Sequence, residues 1–284
     1  MDEFRLAVCH PDEAVCAGVA ARVRGATVVP WTAPGDCDAV ILGGAAGLCE
    51  QAFRDGVHAL LVANPCPPAE AMDGLFATAR TSGAQFVVVN PDRYLPSHQL
   101  IKKQLGGPLG EPGLIRLHRW EPLSANRTSD PALPDALLRD LDLVLWLAGP
   151  PNRVYAVEPK GEAPGRFVQV HLGFAHGGMA LLDYSGRLPP GDGYQSLAVI
   201  AASGAAYADD HQNAQLLYRG GSAQAVRTDE RAGQLAAIAQ DFVDTLREGR
   251  DLSANAAEWS DVFALAGAVQ KSLVSGRAVA LEGR

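Results

Sequence analysis

Residues 38–65, DAVILGGAAGLCEQAFRDGVHALLVANP, decide the fold of the first part of this chain. Two apolar runs, at 39–42 and 59–63, flank a segment with helical spacing near 48–54. An apolar run without alternating polar residues is typical of a strand that is buried on both faces. Two such strands joined by a helix form a βαβ unit. The stretch therefore predicts a parallel sheet with helices on its faces.

The same alternation extends over residues 1–90. Further strands are predicted at 4–9, 26–31 and 85–89, and further helices at 12–24 and 69–80. Asp12 is the predicted N-cap of the first helix, because its carboxylate can accept a hydrogen bond from the first turn. The link between the second and third strands is too short for a helix. We therefore expect a shortened, Rossmann-like, doubly wound domain over residues 1–93.

Residues 94–284 differ in character from the first part. Helices are predicted near 97–105 and 134–147, and two more close the chain. Most segments between residues 114 and 227 are short strands, and in FVQVHLG at 167–173 polar and apolar side chains alternate. Such alternation is typical of an antiparallel sheet with one face in water. The fold class is therefore α/β followed by α+β, the second domain being a mostly antiparallel, open-faced sheet with helices on one side.

Composition narrows the class of protein. The 284 residues are 48% apolar and 20% charged, with a net charge of −8, which is typical of a globular protein without a footprint for nucleic acid. The sequence has no apolar run of membrane-spanning length and no signal-peptide pattern. Five cysteines without a C-x-x-C pair predict reduced thiols. We expect a cytoplasmic protein that binds small molecules or proteins, and neither nucleic acid nor membrane.

Three stretches together resemble one known family. Residues 38–65 are similar to its third βαβ segment, and 87–120, VVVNPDRYLPSHQLIKKQLGGPLGEPGLIRLHRW, to the crossover where an Asn, an Arg–aromatic pair and a Pro precede a helix. Residues 134–149, PDALLRDLDLVLWLAG, are similar to the helix with its D-x-x-x-H-x-x-D pattern, and the ending SLVSGRAVALE also fits. The chain thus resembles a degenerate member of the glucose-fructose oxidoreductase, inositol dehydrogenase and MocA (Gfo/Idh/MocA) family. The resemblance implies the fold above and NAD(P)-dependent hydride transfer.

The chain departs from the dinucleotide motif of that family. The turn after the first strand, where G-x-G-x-x-G would hold a pyrophosphate, is CHPDEA at residues 9–14. Asp12 and Glu13 place two carboxylates at the positive end of the helix dipole, which disfavours phosphate. The second strand ends at Trp31 without the acid that would bind ribose. We therefore expect no cofactor and assign no cofactor-binding residue, with NAD or NADP expected only under the alternative function below.

The positions that transfer protons in the family are also changed. Its Glu-Lys-Pro lysine falls on Asn64, an amide that cannot pass a proton, and its histidine falls on Arg139, which stays protonated. Asp135 and Asp142 are retained. By resemblance, the candidate catalytic residues are Asn64, Asp135 and Arg139. Two roles are open for Arg139: an ion pair with Asp135 at i, i+4, or a clamp for a ligand's carboxylate or phosphate.

Five further residues match the substrate side of the family's site: Asn90, Arg93, Tyr94, Lys102 and His176. For the Arg93–Tyr94 pair, the alternative is a clamp that shapes the chain without touching a ligand. For His176, which precedes two glycines, the alternative is a turn position. Residues 209–211, Asp-Asp-His, have metal-ligand types but no partner at ligand spacing, so no metal site is assigned.

Two functions follow from these observations. The first is an accessory, non-catalytic subunit of the family that pairs with itself, as a dimer or tetramer, or with an intact paralogue through the open sheet face. The alternative is an NAD(P)-dependent oxidoreductase, or a lyase, with an atypical site for a sugar or cyclitol. Under both, a small polyol or sugar-like ligand is expected.

Overall fold

The computed structural model describes residues 4–31, 36–44, 46–123, 133–159, 165–190, 192–209, 214–218, 224–227 and 233–281, with 214–218 and 224–227 described by their backbone alone. The strands are β1 (Arg5–Cys9), β2 (Thr27–Val29), β3 (Ala39–Gly43), β4 (His58–Val62), β5 (Phe86–Val89), β6 (Pro112–Pro122), β7 (Arg153–Val157), β8 (Phe167–Gly173), β9 (Met179–Leu188), β10 (Tyr194–Ala201), β11 (Gly204–Asp209), β12 (Ala214–Tyr218), β13 (Gln224–Arg227) and β14 (Val279–Ala280). The helices are α1 (Glu13–Ala20), α2 (Cys49–Arg54), α3 (Ala69–Ser82), α4 (Pro96–Leu105), α5 (Asp135–Ala148), α6 (Gln234–Glu248) and α7 (Ala254–Ser275). Contacts group the chain into two units, residues 1–95 with 230–261, and 96–229 with 262–284.

The first unit contains a five-stranded parallel sheet in the order β2-β1-β3-β4-β5. All four residues of β5 and four of the five in β3 are buried, as the apolar runs predict. On one face, Phe53 of α2 meets Phe86 of β5 edge-on, with ring centroids 5.1 Å apart. Phe76 of α3 lies 5.0 Å from the same ring. Helices α2 and α3 therefore cover this face with aromatic contacts.

The other face of the parallel sheet is covered by α1 and α6. Leu6 of β1 packs in one cluster with Val19 of α1 and with Ile238 and Phe242 of α6. The sequence prediction assigned all residues after 93 to the second domain, whereas the contacts group 230–261 with the first unit. The physical reason is the short link after β2, which brings no helix within its described residues, so α6 covers the apolar surface beside α1.

The second unit contains a nine-stranded sheet in the order β13-β12-β11-β10-β6-β9-β8-β7-β14. Its pairs are antiparallel except for β6 with β9. One face forms a buried core against helices, in which Leu117 and Val170 of the sheet cluster with Ile101 of α4, Leu137 of α5 and Val269 of α7. The fold class predicted from sequence, a parallel sheet followed by a mostly antiparallel sheet with helices on one side, is confirmed.

The opposite side of this sheet, called the open face below, consists of the alternate side chains that point away from the helices. They are half-buried or exposed, and lie at 153, 155 and 157 of β7, 167–173 (odd) of β8, 179–185 (odd) of β9, 114–120 (even) of β6, 194–200 (even) of β10 and 205–209 (odd) of β11. Its exposed large apolar side chains are Trp120, Tyr155, Val157, Met179, Ile200 and Tyr207. Burying such a surface is favourable, so the open face is suited to association.

Within the described part of the chain, no helix combines the length and the apolar character that a bilayer crossing requires.

Candidate functional site

The carboxyl edge of the parallel sheet is the first candidate region, because parallel strands end at one edge and ligands of such sheets bind there. His10 follows β1, Gly44 follows β3, Asn64 follows β4 and Asn90 follows β5. Tertiary structure brings together these four positions, which are far apart in sequence. Sequence analysis singled out Asn64 and Asn90 as site residues.

The turn between β1 and α1 is closed by its own side chains. The backbone amide of Asp12 donates to His10 Nδ1 at 3.1 Å, and the amide of Ala14 donates to the Asp12 carboxylate at 2.9 Å. The predicted N-cap is therefore present. An acceptor contact at Nδ1 places the proton of a neutral His10 ring on Nε2.

These contacts test whether a pyrophosphate fits at the β1–α1 turn. A glycine-rich turn leaves the first helical amides available for phosphate oxygens, whereas here one of them already binds the Asp12 carboxylate. Glu13 adds a second carboxylate in the first turn. Asp38 offers no substitute at the ribose position, because it precedes β3 at the amino edge of the sheet, where its carboxylate accepts from the amide of Arg5 at 2.6 Å. The residues present do not fit a pyrophosphate held in the glycine-rich manner.

Gly44 and Asn64 lie against each other at this edge. Gly44 has φ +74°, and a Cβ there would lie 2.6 Å from the Asn64 carbonyl oxygen. At the neighbouring Gly43 a Cβ would lie 3.1 Å from the His10 ring. The two glycines allow the β3 loop to approach both neighbours closely. Sequence analysis assigned them no role, although a glycine pair directly after a buried strand was a usable signal.

Asn90, Arg93 and Tyr94 fasten the turn after β5. The buried Asn90 side chain accepts from the Asp92 amide at 3.0 Å and caps the short 3₁₀ turn Pro91–Tyr94. Arg93 donates to Glu258 of α7 at 3.0 Å, and the Tyr94 hydroxyl donates to Asp241 of α6 at 2.6 Å.

Burial, and after it the hydrogen bond to the Asp241 carboxylate, raise the pKa of the Tyr94 hydroxyl far above its ordinary value. This hydroxyl therefore stays protonated as a donor at neutral pH. The contacts of Arg93 and Tyr94 are those of a clamp, the alternative considered from sequence. Substrate binding by Asn90, Arg93 and Tyr94 stays a prediction.

In the second unit, Asp135 and Arg139 lie on the first turns of α5. Arg139 is 8% exposed, and its guanidinium lies 3.9 Å from the Asp135 carboxylate and 3.9 Å from that of Glu121 on β6. Glu121 also accepts from the Tyr184 hydroxyl of β9 at 3.4 Å. The i, i+4 ion pair is therefore present, and an anion approaching Arg139 meets two carboxylates.

Glu121 was missed by sequence reasoning. It lies on β6 and the Asp135–Arg139 pair on α5, so only the packing of strand against helix brings the three together. The alternation of β6 placed Glu121 on the helix side of the sheet, which was the available signal. The catalytic roles assigned by resemblance to Asp135 and Arg139 stay predictions.

The remaining candidates of the second unit make backbone contacts. Lys102 of α4 donates to the Trp146 carbonyl oxygen, and its Nζ lies 5.4 Å from the Trp146 ring centroid. His176 is exposed in the turn between β8 and β9, with Nε2 3.2 Å from the Pro112 carbonyl oxygen and its ring stacked on Phe174. The turn alternative for His176 agrees with this position. Of the Asp-Asp-His cluster, residues 210 and 211 lie outside the described residues.

Comparisons with known proteins define the fold. The sequence matches no known protein-family model and no curated protein. An oxidoreductase from Agrobacterium radiobacter, in complex with NAD+, L-tartaric acid and magnesium, is 16% identical over 98% of each chain, with a TM-score of 0.78. UDP-N-acetylglucosamine 3-dehydrogenase from Acidithiobacillus ferrooxidans is 20% identical over 97% of this chain and 99% of that chain, with a TM-score of 0.74. Levoglucosan dehydrogenase in complex with NADH and levoglucosan is 14% identical over 99% of this chain and 100% of that chain, with a TM-score of 0.76.

These structures contradict the expectation that no cofactor binds. The Agrobacterium oxidoreductase holds NAD+ and levoglucosan dehydrogenase holds NADH. The structural neighbours therefore point to a nucleotide cofactor, and the expectation of no cofactor was wrong. The misfit at the β1–α1 turn concerns only the glycine-rich way of holding a pyrophosphate. The resemblance inferred from sequence is confirmed in the fold: this chain has the fold of the Gfo/Idh/MocA-type oxidoreductases.

Proposed function

We propose that this protein is an oxidoreductase-type subunit that does not carry out the hydride transfer of its structural neighbours and acts by self-association, or by association with an intact paralogue. The residues at the positions that resemble the family's proton-transfer motif, Asn64 and Arg139, support this loss of hydride transfer. Nucleotide binding is a separate property, and the neighbours make NAD(P)(H) the first nucleotide to test.

The observation that carries this proposal is the environment of Arg139. By resemblance, Arg139 takes the position of the family's catalytic histidine. It is buried and lies 3.9 Å from each of two carboxylates. An arginine guanidinium carries donors only and does not deprotonate in proteins. A group held in this state cannot take up the proton that a substrate hydroxyl loses when hydride leaves.

The first unit supports the same conclusion. By resemblance, Asn64 takes the position of the family's lysine. Its side chain is exposed, and a carboxamide does not titrate near neutral pH. Both positions expected to move a proton are therefore occupied by groups that hold their protonation state.

Self-association is supported by the open face. Its exposed Trp120, Tyr155, Met179, Ile200 and Tyr207 side chains share one side of one sheet, and such surfaces are typical of interfaces between proteins. A small polyol or sugar-like molecule is the ligand class we propose, since UDP-N-acetylglucosamine and levoglucosan dehydrogenases share the fold.

The test separates turnover from binding. The purified chain is incubated with NAD+ or NADP+ and a panel containing levoglucosan, UDP-N-acetylglucosamine, L-tartrate and myo-inositol, and NAD(P)H formation is followed by absorbance, beside Arg139→Ala and Asn64→Ala. We expect the same background rate in all three proteins. NADH binding is titrated separately by fluorescence, and sedimentation velocity measures the oligomeric state. Turnover by the natural chain that Arg139→Ala or Asn64→Ala abolishes would overturn the proposal.

A further inference from the structure

A buried arginine of the second unit has two carboxylates beside it, one of which also contacts a tyrosine. The guanidinium of Arg139 lies 3.9 Å from a carboxylate oxygen of Asp135 and 3.9 Å from one of Glu121. The Tyr184 hydroxyl donates to the other oxygen of Glu121 at 3.4 Å. These four side chains, called the Arg139 group below, come from α5, β6 and β9 and meet on the helix side of the nine-stranded sheet.

The charges of the Arg139 group do not balance, unlike those of a neighbouring pair on the same two elements. Arg119 of β6 and Asp140 of α5 are one cation and one anion, joined at 2.6 to 3.0 Å. In the Arg139 group, one guanidinium faces two carboxylates, which leaves an excess of one negative charge among these side chains. A positively charged group of a ligand would neutralise that excess.

Glu121 is the member of the group that a ligand can reach. Its side chain is 37% exposed, against 11% for Asp135 and 9% for Arg139. Among the described residues, Arg139 is its one ion-pair partner. Contacts at both oxygens restrict the Glu121 carboxylate, and a carboxylate has further lone pairs that can accept hydrogen bonds from a ligand.

Gly186 of β9 provides the space in which the Tyr184 hydroxyl lies. A Cβ at residue 186 would lie 2.8 Å from that hydroxyl and 3.4 Å from two carbons of the tyrosine ring. A side chain at this position would therefore displace the hydroxyl from Glu121. The glycine thus maintains the contact that orients the exposed carboxylate.

This arrangement distinguishes ligands by their charge. An ammonium group donates charge-assisted hydrogen bonds to a carboxylate, and these are stronger than the neutral bond that a hydroxyl donates. A carboxylate or phosphate of a ligand meets like charges at Glu121 and Asp135, and like charges placed together disfavour binding. The expected order of affinity is therefore a cation first, a neutral polyol second and an anion last.

We infer that the Arg139 group binds a protonated amino polyol, such as an amino sugar, with the ammonium group on the Glu121 carboxylate. The inference rests on the polyol or sugar-like ligand proposed above and adds its positive charge. The role that follows for Arg139 is to hold two carboxylates in place, and not to clamp an acidic ligand.

The test uses three sugars that share a pyranose ring and differ in charge: D-glucosamine, D-glucose and D-glucuronate. Ligand-detected NMR titrations of the full chain are carried out at about pH 6, where an ordinary amine is protonated and an ordinary carboxyl group is ionised. We expect glucosamine to bind about tenfold more tightly than glucose, and glucuronate to bind more weakly than glucose.

Two substitutions of Glu121 identify the group responsible. Glu121→Gln keeps the size of the side chain and removes its charge, so glucosamine loses its advantage over glucose. Glu121→Lys reverses the charge, so glucuronate becomes the tightest ligand of the three. The matched control is Glu111→Gln, at an exposed position just before β6 and at the opposite end of that strand from Glu121, which keeps the order of the natural chain.

Circular dichroism verifies that every variant is folded. Two results overturn the inferred selection for a cation and leave the proposed polyol class in place. One is a natural chain that binds glucuronate as tightly as glucosamine, and the other is a glucosamine advantage that Glu121→Gln leaves intact. A natural chain that binds none of the three sugars overturns the inference and the proposed ligand class together.

Discussion

Gly44 is the residue at which backbone geometry restricts the site edge most directly. Its φ of +74° favours glycine, and an added Cβ would meet a backbone oxygen, that of Asn64, at 2.6 Å. A backbone atom cannot rotate away as a flexible side chain can. The substitution of Gly44 therefore affects both the conformation of its own residue and the loop after β4.

We predict that Gly44→Ala lowers the free energy of unfolding by about 2 kcal/mol or more, from left-handed strain and the clash together. The control is Gly74→Ala in the interior of α3, where a Cβ has no heavy atom within 4 Å and alanine favours the helix by about 1 kcal/mol. Urea unfolding compares the two. Equal effects of both substitutions would show that the contact with Asn64 is not restrictive.

Cys49 is a buried thiol of the first unit. It is 0% exposed, and burial raises its pKa to about 12. Because the thiolate is the reactive form, we predict that Cys49 does not react with a disulfide reagent at about pH 8 in the native chain and reacts fully in urea. Mass spectrometry of labelled peptides identifies the residue, and the half-buried Cys16 is the comparison. Labelling of Cys49 as fast as Cys16 would contradict the prediction.

At the scale of the element, the N-terminus of α1 is well capped but disfavours the binding of a phosphate group. The carboxylate of Asp12 caps the helix, and Glu13 adds charge to the first turn. Both stabilise the positive end of the helix dipole. The same interactions weaken the attraction of this end for a diphosphate.

We therefore predict that Asp12→Asn combined with Glu13→Gln raises NADH affinity several-fold, since asparagine keeps the cap while two negative charges are removed. Fluorescence titration measures the affinity at low salt. Glu70→Gln, in the first turn of α3, is the matched control and leaves the affinity unchanged. An affinity that the double variant does not alter would place the nucleotide phosphates away from α1.

Helix α5 is joined to β6 by a buried ion pair. Arg119 of β6 donates to both carboxylate oxygens of Asp140, with distances from 2.6 to 3.0 Å, and both side chains are buried. This contact holds the helix that carries Asp135 and Arg139 against the sheet.

Asp140→Asn is predicted to destabilise the protein by about 3–5 kcal/mol, because it leaves a buried guanidinium without its carboxylate. Glu158→Gln, which breaks the partly exposed pair with Arg166 at 2.7 Å, is expected to cost under about 1 kcal/mol. Thermal unfolding measures both. A loss for Asp140→Asn no larger than for Glu158→Gln would contradict the buried-pair argument.

At the scale of the whole molecule, the first unit is assembled from two distant parts of the chain. Ile238 and Phe242 of α6 complete the core over Leu6, and Trp259 of α7 donates to the Val88 carbonyl oxygen at 2.9 Å. Residues 1–93 therefore lack part of their own core.

We predict that a fragment of residues 1–93 shows no cooperative unfolding, whereas the same fragment joined to residues 230–261 by a glycine–serine linker does. Removing the α6 side chains exposes apolar surface worth several kcal/mol, on the order of a small domain's whole stability. Circular dichroism during thermal denaturation compares the fragments. Cooperative unfolding of residues 1–93 alone would show that α6 is dispensable.

Local sequence determined the strands, the free face of the second sheet and the helix cap of this protein. The apolar runs in residues 38–65 predicted buried parallel strands, the alternation in 167–173 predicted a sheet with one free face, and Asp12 was identified as a cap, because each depends on near neighbours. The absence of glycine from residues 9–14, directly after β1, was likewise evident from the sequence alone.

Tertiary structure decided the contacts between distant residues. It placed α6 on the parallel sheet, Glu121 beside Arg139, and Gly44 against Asn64. None of these follows from spacing along the chain, because strand order, register and packing select the partners only when apolar surface is buried as a whole.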